Sequence, residues 1–186
     1  YQAVSGNEIK NAYLTGGYPP EDLVEVEALR FLYLDDMSGK KNQKRSASQR
    51  LKLLVLGEYL SINTLLQMDF LRRIAADLSN VELIVKPHPA CPISPADYPE
   101  LRIKVSNQPL SDLFGLFDVA YTSCLTSAAV DAYCAGLRVI SVLDPAALNL
   151  SPLRGVAGVR FVSSPDELRE ALFEEPGQGD SVEERV

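Results

Sequence analysis

The only histidine of this 186-residue chain, His88, stands in the stretch LIVKPHPA at residues 83–90. Apolar residues run into Lys86, and prolines flank the imidazole at 87 and 89. A proline cannot donate to a sheet ladder, so a strand through 81–86 must end there. The residue before each proline is pushed out of helical geometry. His88 is therefore held in a stiff, extended turn, where a neutral imidazole can donate one hydrogen bond to a phosphate oxygen or act as an acid. Lys86 adds a cation nearby. The plain alternative is a turn histidine bonded to a backbone carbonyl.

A second group of chemically able residues is the hydroxyl-rich run TSCLTSAA at residues 122–129. It lies where a strand gives way to a helix. Ser123, Thr126 and Ser127 can donate to an anion there, and small neighbours let it approach the backbone. Simple helix capping by Ser123 or Thr126 is the competing reading. Asp131 follows Ser127 by four residues, about one helical turn. It can bond ribose hydroxyls or stand as a surface carboxylate. A third group is Gly57-Glu58-Tyr59 after an apolar run. Glycine permits close backbone approach, and Glu58 faces either the ligand or solvent. The stretch Ser106–Leu110 offers backbone groups to a base. No carboxylate pair, Ser-His-Asp order or Walker-type loop is present. No catalytic residue is assigned.

These groups need strand ends to hold them, and the pattern supplies them. Residues 51–56, 81–86, 101–105, 117–122, 137–142 and 158–163 read as strands. Helical readings fall on 61–78 with Ser61 as cap, 109–116, 126–135 ending at Gly136, and 165–173 with Ser164 as cap and Pro165 in the first turn. In 61–78, Leu65, Leu66, Phe70, Leu71, Ile74 and Leu78 share one helical face. The strands are continuous apolar runs, as expected when helices cover both faces of a parallel sheet. The alternation predicts an α/β, Rossmann-like domain over 51–174 whose ligand sits outside the carboxyl ends of the strands. Residues 1–50 read as a crossover segment with a helix near Asn7–Leu14, a strand at 23–27 leading into a helix, and a polar linker at 36–50 with five basic residues. That linker reads as a solvated loop; contact with anionic lipid or a phosphorylated acceptor is the alternative. Residues 175–186 read as a flexible tail.

Bulk composition narrows the class. The chain is 46% hydrophobic and 23% charged, ordinary for a globular domain. A net charge of −7 argues against a general nucleic-acid binder. No apolar run reaches the roughly 18–20 residues of a membrane span. Three cysteines without metal spacing, and one histidine, argue against a zinc site. Free thiols suit a reducing cytoplasm.

Residues 51–173 resemble the C-terminal, donor-binding half of GT-B glycosyltransferases. The closest similarity is to bacterial surface-carbohydrate enzymes: capsule and lipopolysaccharide transferases, sialyltransferases and CDP-glycerol glycerophosphotransferases. VELIVKPHP, DLFGLFDVAYTSCLTSAAVDAYCAGLRVISV and FVSSPDELREAL carry the resemblance, which covers about two-thirds of the chain. YPPEDLVEVEALRFLYL is similar to the segment entering this domain in surface-polysaccharide proteins. Two positions depart from the pattern: Arg138 replaces a usual proline, and Asp131 replaces a usual glutamate.

The resemblance implies that His88 contacts the phosphate of a CMP- or UDP-linked sugar donor, and that Ser123, Thr126 and Ser127 bind phosphate or a carboxylate of the sugar. Lys86, Asp131 and Glu58 complete the expected donor site. It further implies no metal or other cofactor and a missing N-terminal half that carries the catalytic base. A glycan or lipid-linked acceptor would bind through that half. The chain begins at Tyr1 and reads as a piece that binds donor without transferring it. A cytoplasmic protein, peripheral at the inner membrane, is expected. The alternatives are a nucleotide-sugar epimerase of the same architecture and a Rossmann-like binding module without catalysis.

Overall fold

The computed structural model describes residues 1–27, Tyr33 and 50–174. The expected helix after 23–27, the polar stretch 36–49 and the tail 175–186 lie outside the described residues. Residues 1–27 form a small strand–helix–strand unit. Strand β1 (Gln2–Val4) leads through helix α1 (Asn7–Thr15) to β2 (Leu23–Glu25), which pairs with β1 in parallel.

The main body begins with β3 (Leu51–Leu56), α2 (Ser61–Arg73) and β4 (Val81–Lys86). Then come β5 (Ile103–Val105), the short α3 (Leu110–Leu113) and β6 (Val119–Ser123). Helix α4 (Ala128–Cys134), β7 (Arg138–Val142), β8 (Val159–Val162) and α5 (Pro165–Phe173) complete it. The six strands form one parallel sheet in the order β5-β4-β3-β6-β7-β8. This is the expected α/β, Rossmann-like arrangement. Strand order reverses between β3 and β6, where a crevice opens at the carboxyl edge.

Both faces of the sheet are covered, which explains the uninterrupted apolar strands. One face packs Leu53, Val55 and Tyr121 against α2 and α5 through Met68, Leu71, Leu168 and Leu172. The other packs Leu54, Leu56, Ala120 and Val139 against Ala129, Ala132 and Phe114. Each fully buried leucine side chain contributes about 1.5–3 kcal/mol.

Local signals set most boundaries. Gly136, at φ 86°, ends α4. Its N–H donates to the Tyr133 carbonyl and that of Leu137 to Ala132, a Schellman pairing that requires the left-handed residue between them. Ser164 Oγ accepts from the Glu167 N–H and starts α5 with Pro165 at its first turn.

Helix α2 differs from the sequence pattern. Ser61 is its first helical residue rather than its cap, which is Leu60, and it gives way to a tighter 3-10 stretch at Ala75–Asn80. Leu65 is 57% exposed, whereas Thr64 and Gln67 are buried. The helix turns two polar residues inward because the crevice beneath it holds backbone groups in need of partners. Gln67 Nε2 donates to the carbonyls of Leu56 (3.2 Å) and Tyr121 (3.4 Å), at the ends of β3 and β6. Helix α4 likewise starts at Ala128, leaving Thr126 in the turn before it.

Arg138 has a structural role. It stands at the amino end of β7, away from the crevice, and its guanidinium donates to the carbonyls of Leu172 (2.7 Å) and Glu174 (2.6 Å). These carbonyls belong to the last turn of α5, where a cation complements the helix dipole. Arg138→Ala should lower stability by about 1–2 kcal/mol, read as a melting temperature lower by roughly 2–8 °C. Nucleotide affinity should be unchanged.

Candidate functional site

The carboxyl ends of β3, β4 and β6 meet around a cleft of about 280 Å³. Gly57, Lys86, His88, Thr126, Ser127 and Asp131 line it, with Leu110 supplying an apolar side. Five of the seven sequence-selected residues thus share one cleft. The parallel register explains the meeting: Leu56 pairs with Lys86 on one side and with Thr122 on the other, so both following turns leave the sheet at the same level.

The Lys86–Pro89 turn is held against the end of β3. The Gly57 N–H donates to the Lys86 carbonyl at 2.9 Å. A Cβ at position 57 would lie 3.1 Å from the His88 nitrogen and 3.2 Å from Pro87 Cα. A side chain at this position would require the neighbouring backbone to give by a few tenths of an ångström. The His88 carbonyl accepts from the Cys91 N–H (2.9 Å), closing a turn over Pro89 and Ala90.

Hydrogen bonds within the protein decide what the cleft offers a ligand. His88 Nδ1 accepts from the Ala90 N–H at 3.1 Å. That bond assigns the proton of the neutral ring to Nε2, which becomes a donor on an exposed side chain. The alternative of a ring bonded to a backbone carbonyl does not describe this histidine. Thr126 Oγ1 accepts from the Ala128 N–H at 3.3 Å, leaving its own O–H to donate. Lys86 is half-buried beside them, and among the described residues no carboxylate forms an ion pair with it. The result is a set of donors from two turns, with the largely buried Asp131 also on the wall. Such a set suits an anion, and an acceptor beside it suits the hydroxyls of an attached group.

Ser123 and Glu58 are placed differently from the sequence expectation and do not line this cleft. Glu58 is 2% exposed, and Oε2 of its carboxylate accepts from Ser123 Oγ and from Asn63 Nδ2, the latter at 2.9 Å. Thr64 Oγ1 donates to the Glu58 carbonyl (3.1 Å) and accepts from its N–H (3.0 Å). Glu58 Oε1 is buried without a hydrogen-bond partner. The pair therefore forms an internal clasp joining the β3 turn, the β6 turn and the start of α2. Asn63, Thr64 and Gln67 are contributors that sequence inspection did not single out. The visible signal was polar residues where α2 should have been apolar.

Of the stretch after β5, only Leu110 reaches the cleft. The Ser106 N–H is bonded to the Val85 carbonyl and the Gln108 N–H to Ser106 Oγ. Among the described residues no helix is long and apolar enough to cross a membrane.

No protein-family profile matches this chain, and no curated protein matches it in sequence. Its structure is similar to those of glycosyltransferases. Against the glycosyltransferase SnogD from Streptomyces nogalater the TM-score is 0.53 at 12% identity, over 89% of this chain and 52% of that one. Against the glycotransferase of kitacinnamycin it is 0.52 at 22%, over 77% and 39%. Against Acinetobacter baumannii MurG it is 0.51 at 16%, over 90% and 56%. The arrangement is thus the Rossmann-like one found in GT-B glycosyltransferases. The chain spans between 39% and 56% of the length of these three structures.

Proposed function

We propose that this chain is the nucleotide-sugar-binding half of a glycosyltransferase. The observation that carries the reading is the convergence of Lys86, the Nε2–H of His88 and the Thr126 hydroxyl on one cleft at the strand-order reversal. The donor's phosphates lie among these groups and Ser127, the base lies toward Leu110, and Asp131 accepts from the ribose. As the glycosyl bond breaks, charge builds on the nucleoside phosphate, and fixed donors stabilise it without reorganising. Lys86 answers the same charge as a point cation.

The KPHP resemblance supports the finer part of the proposal, that the product is a bacterial surface polysaccharide such as capsule or lipopolysaccharide. The donor would then be CMP- or UDP-linked. The acceptor, a glycan or lipid-linked oligosaccharide, and the catalytic base belong to the remainder of the enzyme, at the cytoplasmic face of the inner membrane. No metal enters the reading.

His88 substitutions test it by calorimetry with UDP and CMP. His88→Ala should weaken binding about tenfold to a hundredfold, the loss of one charge-assisted hydrogen bond. His88→Gln, whose amide reaches the Nε2 position, should recover part of the loss. His88→Asn, which reaches only Nδ1, should not. Equal affinities for wild type and His88→Ala would remove His88 from the site.

A further inference from the structure

A second pocket, also about 280 Å³, opens on the other side of the β6 turn. Ser123, Cys124 and Leu125 line it, while the next three residues, Thr126, Ser127 and Ala128, line the anion cleft. One turn therefore contributes to both linings. Most of the lining is aliphatic, from Leu66, Leu125, Val142, Ala147, Leu148 and Leu150. The polar lining consists of Asn63, Ser123 and Asp144.

The polarity of those three groups is set by bonds already made. Asn63 Nδ2 and the Ser123 hydroxyl both donate to Glu58 Oε2. What remains for an occupant is the Asn63 carbonyl oxygen, an acceptor, beside the second hydrogen of its Nδ2. Asp144 Oδ1 accepts from the Ala146 N–H at 2.8 Å, leaving Oδ2, another acceptor. Among the described residues no cation lines the pocket. The Cys124 thiol on its wall is pushed up first by burial and then by Glu58, with Asp144 adding to the shift; only backbone hydrogen bonds oppose it. The two carboxylates thus make this side of the turn electronegative, whereas the other side presents donors to an anion.

We propose that a donor with its phosphate in the cleft reaches past this turn, and that the second pocket selects its glycosyl group by charge. It accepts a neutral or amino-bearing sugar with an apolar face and rejects a carboxylated one. This rests on the nucleotide-sugar reading of the adjoining cleft. Aliphatic walls take the C–H face of a hexose, and Asn63 and Asp144 accept from its hydroxyls or ammonium. A carboxylate there would face the Asp144 charge, with no cation among the described lining residues to pair with.

Calorimetry with matched probes tests the inference: UDP, UDP-glucose, UDP-glucosamine and UDP-glucuronate, with CMP and CMP-N-acetylneuraminate as a second pair. UDP-glucose and UDP-glucosamine should bind at least as tightly as UDP, and UDP-glucuronate about tenfold more weakly than UDP-glucose. If CMP binds, CMP-N-acetylneuraminate should bind more weakly than CMP. Asp144→Asn keeps the carbonyl oxygen that accepts from Ala146, so the loop should stay in place. It should narrow the gap between glucose and glucuronate to about threefold or less. A wild-type protein that binds UDP but takes glucuronate as well as glucose would overturn the charge selection and leave the nucleotide cleft standing. So would a gap untouched by Asp144→Asn. Failure of every nucleotide to bind would overturn both.

Discussion

Gly57→Val should lower nucleotide affinity by more than about a hundredfold while the protein still folds. The glycine N–H is bonded to the Lys86 carbonyl, and a bare Cβ would already approach the His88 nitrogen to 3.1 Å and Pro87 Cα to 3.2 Å. Both are backbone atoms, and the branched methyl groups of valine would come closer still. The Lys86–Pro89 turn cannot swing a side chain aside to relieve the contact. Its prolines lock two of its backbone torsions, so it must move as a unit. Moving it carries Lys86 and His88 together away from the proposed phosphate site. Two charge-assisted hydrogen bonds, each of about 1.5–3 kcal/mol, then weaken at once. Overpacking of this kind costs about 1–3 kcal/mol in stability, which urea unfolding would register. Gly57→Ala should fall between, since its one added carbon demands a shift of a few tenths of an ångström. Wild-type affinity in Gly57→Val would mean that the turn does not position the ligand.

Glu58→Ala should be the most destabilising single change at the site, by about 2–4 kcal/mol. It removes the acceptor shared by Ser123 and Asn63 at a position that is 2% exposed. The buried Ser123 hydroxyl and the half-buried Asn63 amide would lose their shared acceptor and a cavity would open between three elements. Glu58→Gln provides the control. One amide oxygen can replace Oε2 as the shared acceptor, and the amide nitrogen takes the place of Oε1, which has no hydrogen-bond partner in the wild type. Its cost should stay below that of Ala, at about 1–2 kcal/mol in a urea titration, since the new amide nitrogen stands where Oε1 has no partner among the described residues. Equal losses for Ala and Gln would show that negative charge, rather than acceptor geometry, holds the clasp.

These two residues mark how far the sequence could be read. Gly57 and Glu58 are adjacent, at the end of a strand whose limits, 51–56, follow directly from an unbroken apolar run. The place of His88 was equally legible, because prolines constrain the chain locally. Glu58 was not. Its partner Ser123 is 65 residues away, and only the pairing of β3 with β6 brings them together. The same limit explains α2. A count of apolar spacing placed Leu65 inside, but the crevice end of the helix must meet backbone carbonyls, so Thr64 and Gln67 turn inward. Arg138 stood out in the sequence as a departure from the family pattern. Its guanidinium in fact serves the end of α5 at the opposite edge of the sheet, an arrangement that depends on β7, β8 and α5 all being in place. For Asp131 the spacing from Ser127 left a cleft position and a surface position both open; it lines the cleft.

The central claim is that the cleft between the Lys86–Pro89 turn and the Thr126–Ala128 turn binds a nucleotide through its phosphate. The most direct measurement is a titration of the 15N-labelled protein with UDP and with CMP, followed by amide chemical shifts. With at least one of the two, Gly57, Lys86, His88, Ala90 and the amides from Thr126 to Asp131 should shift progressively and saturate. Asp118 and Arg138, at the amino ends of β6 and β7, should stay still. Shifts confined to the amino edge, or no saturable shifts around the cleft with either nucleotide, would contradict the account.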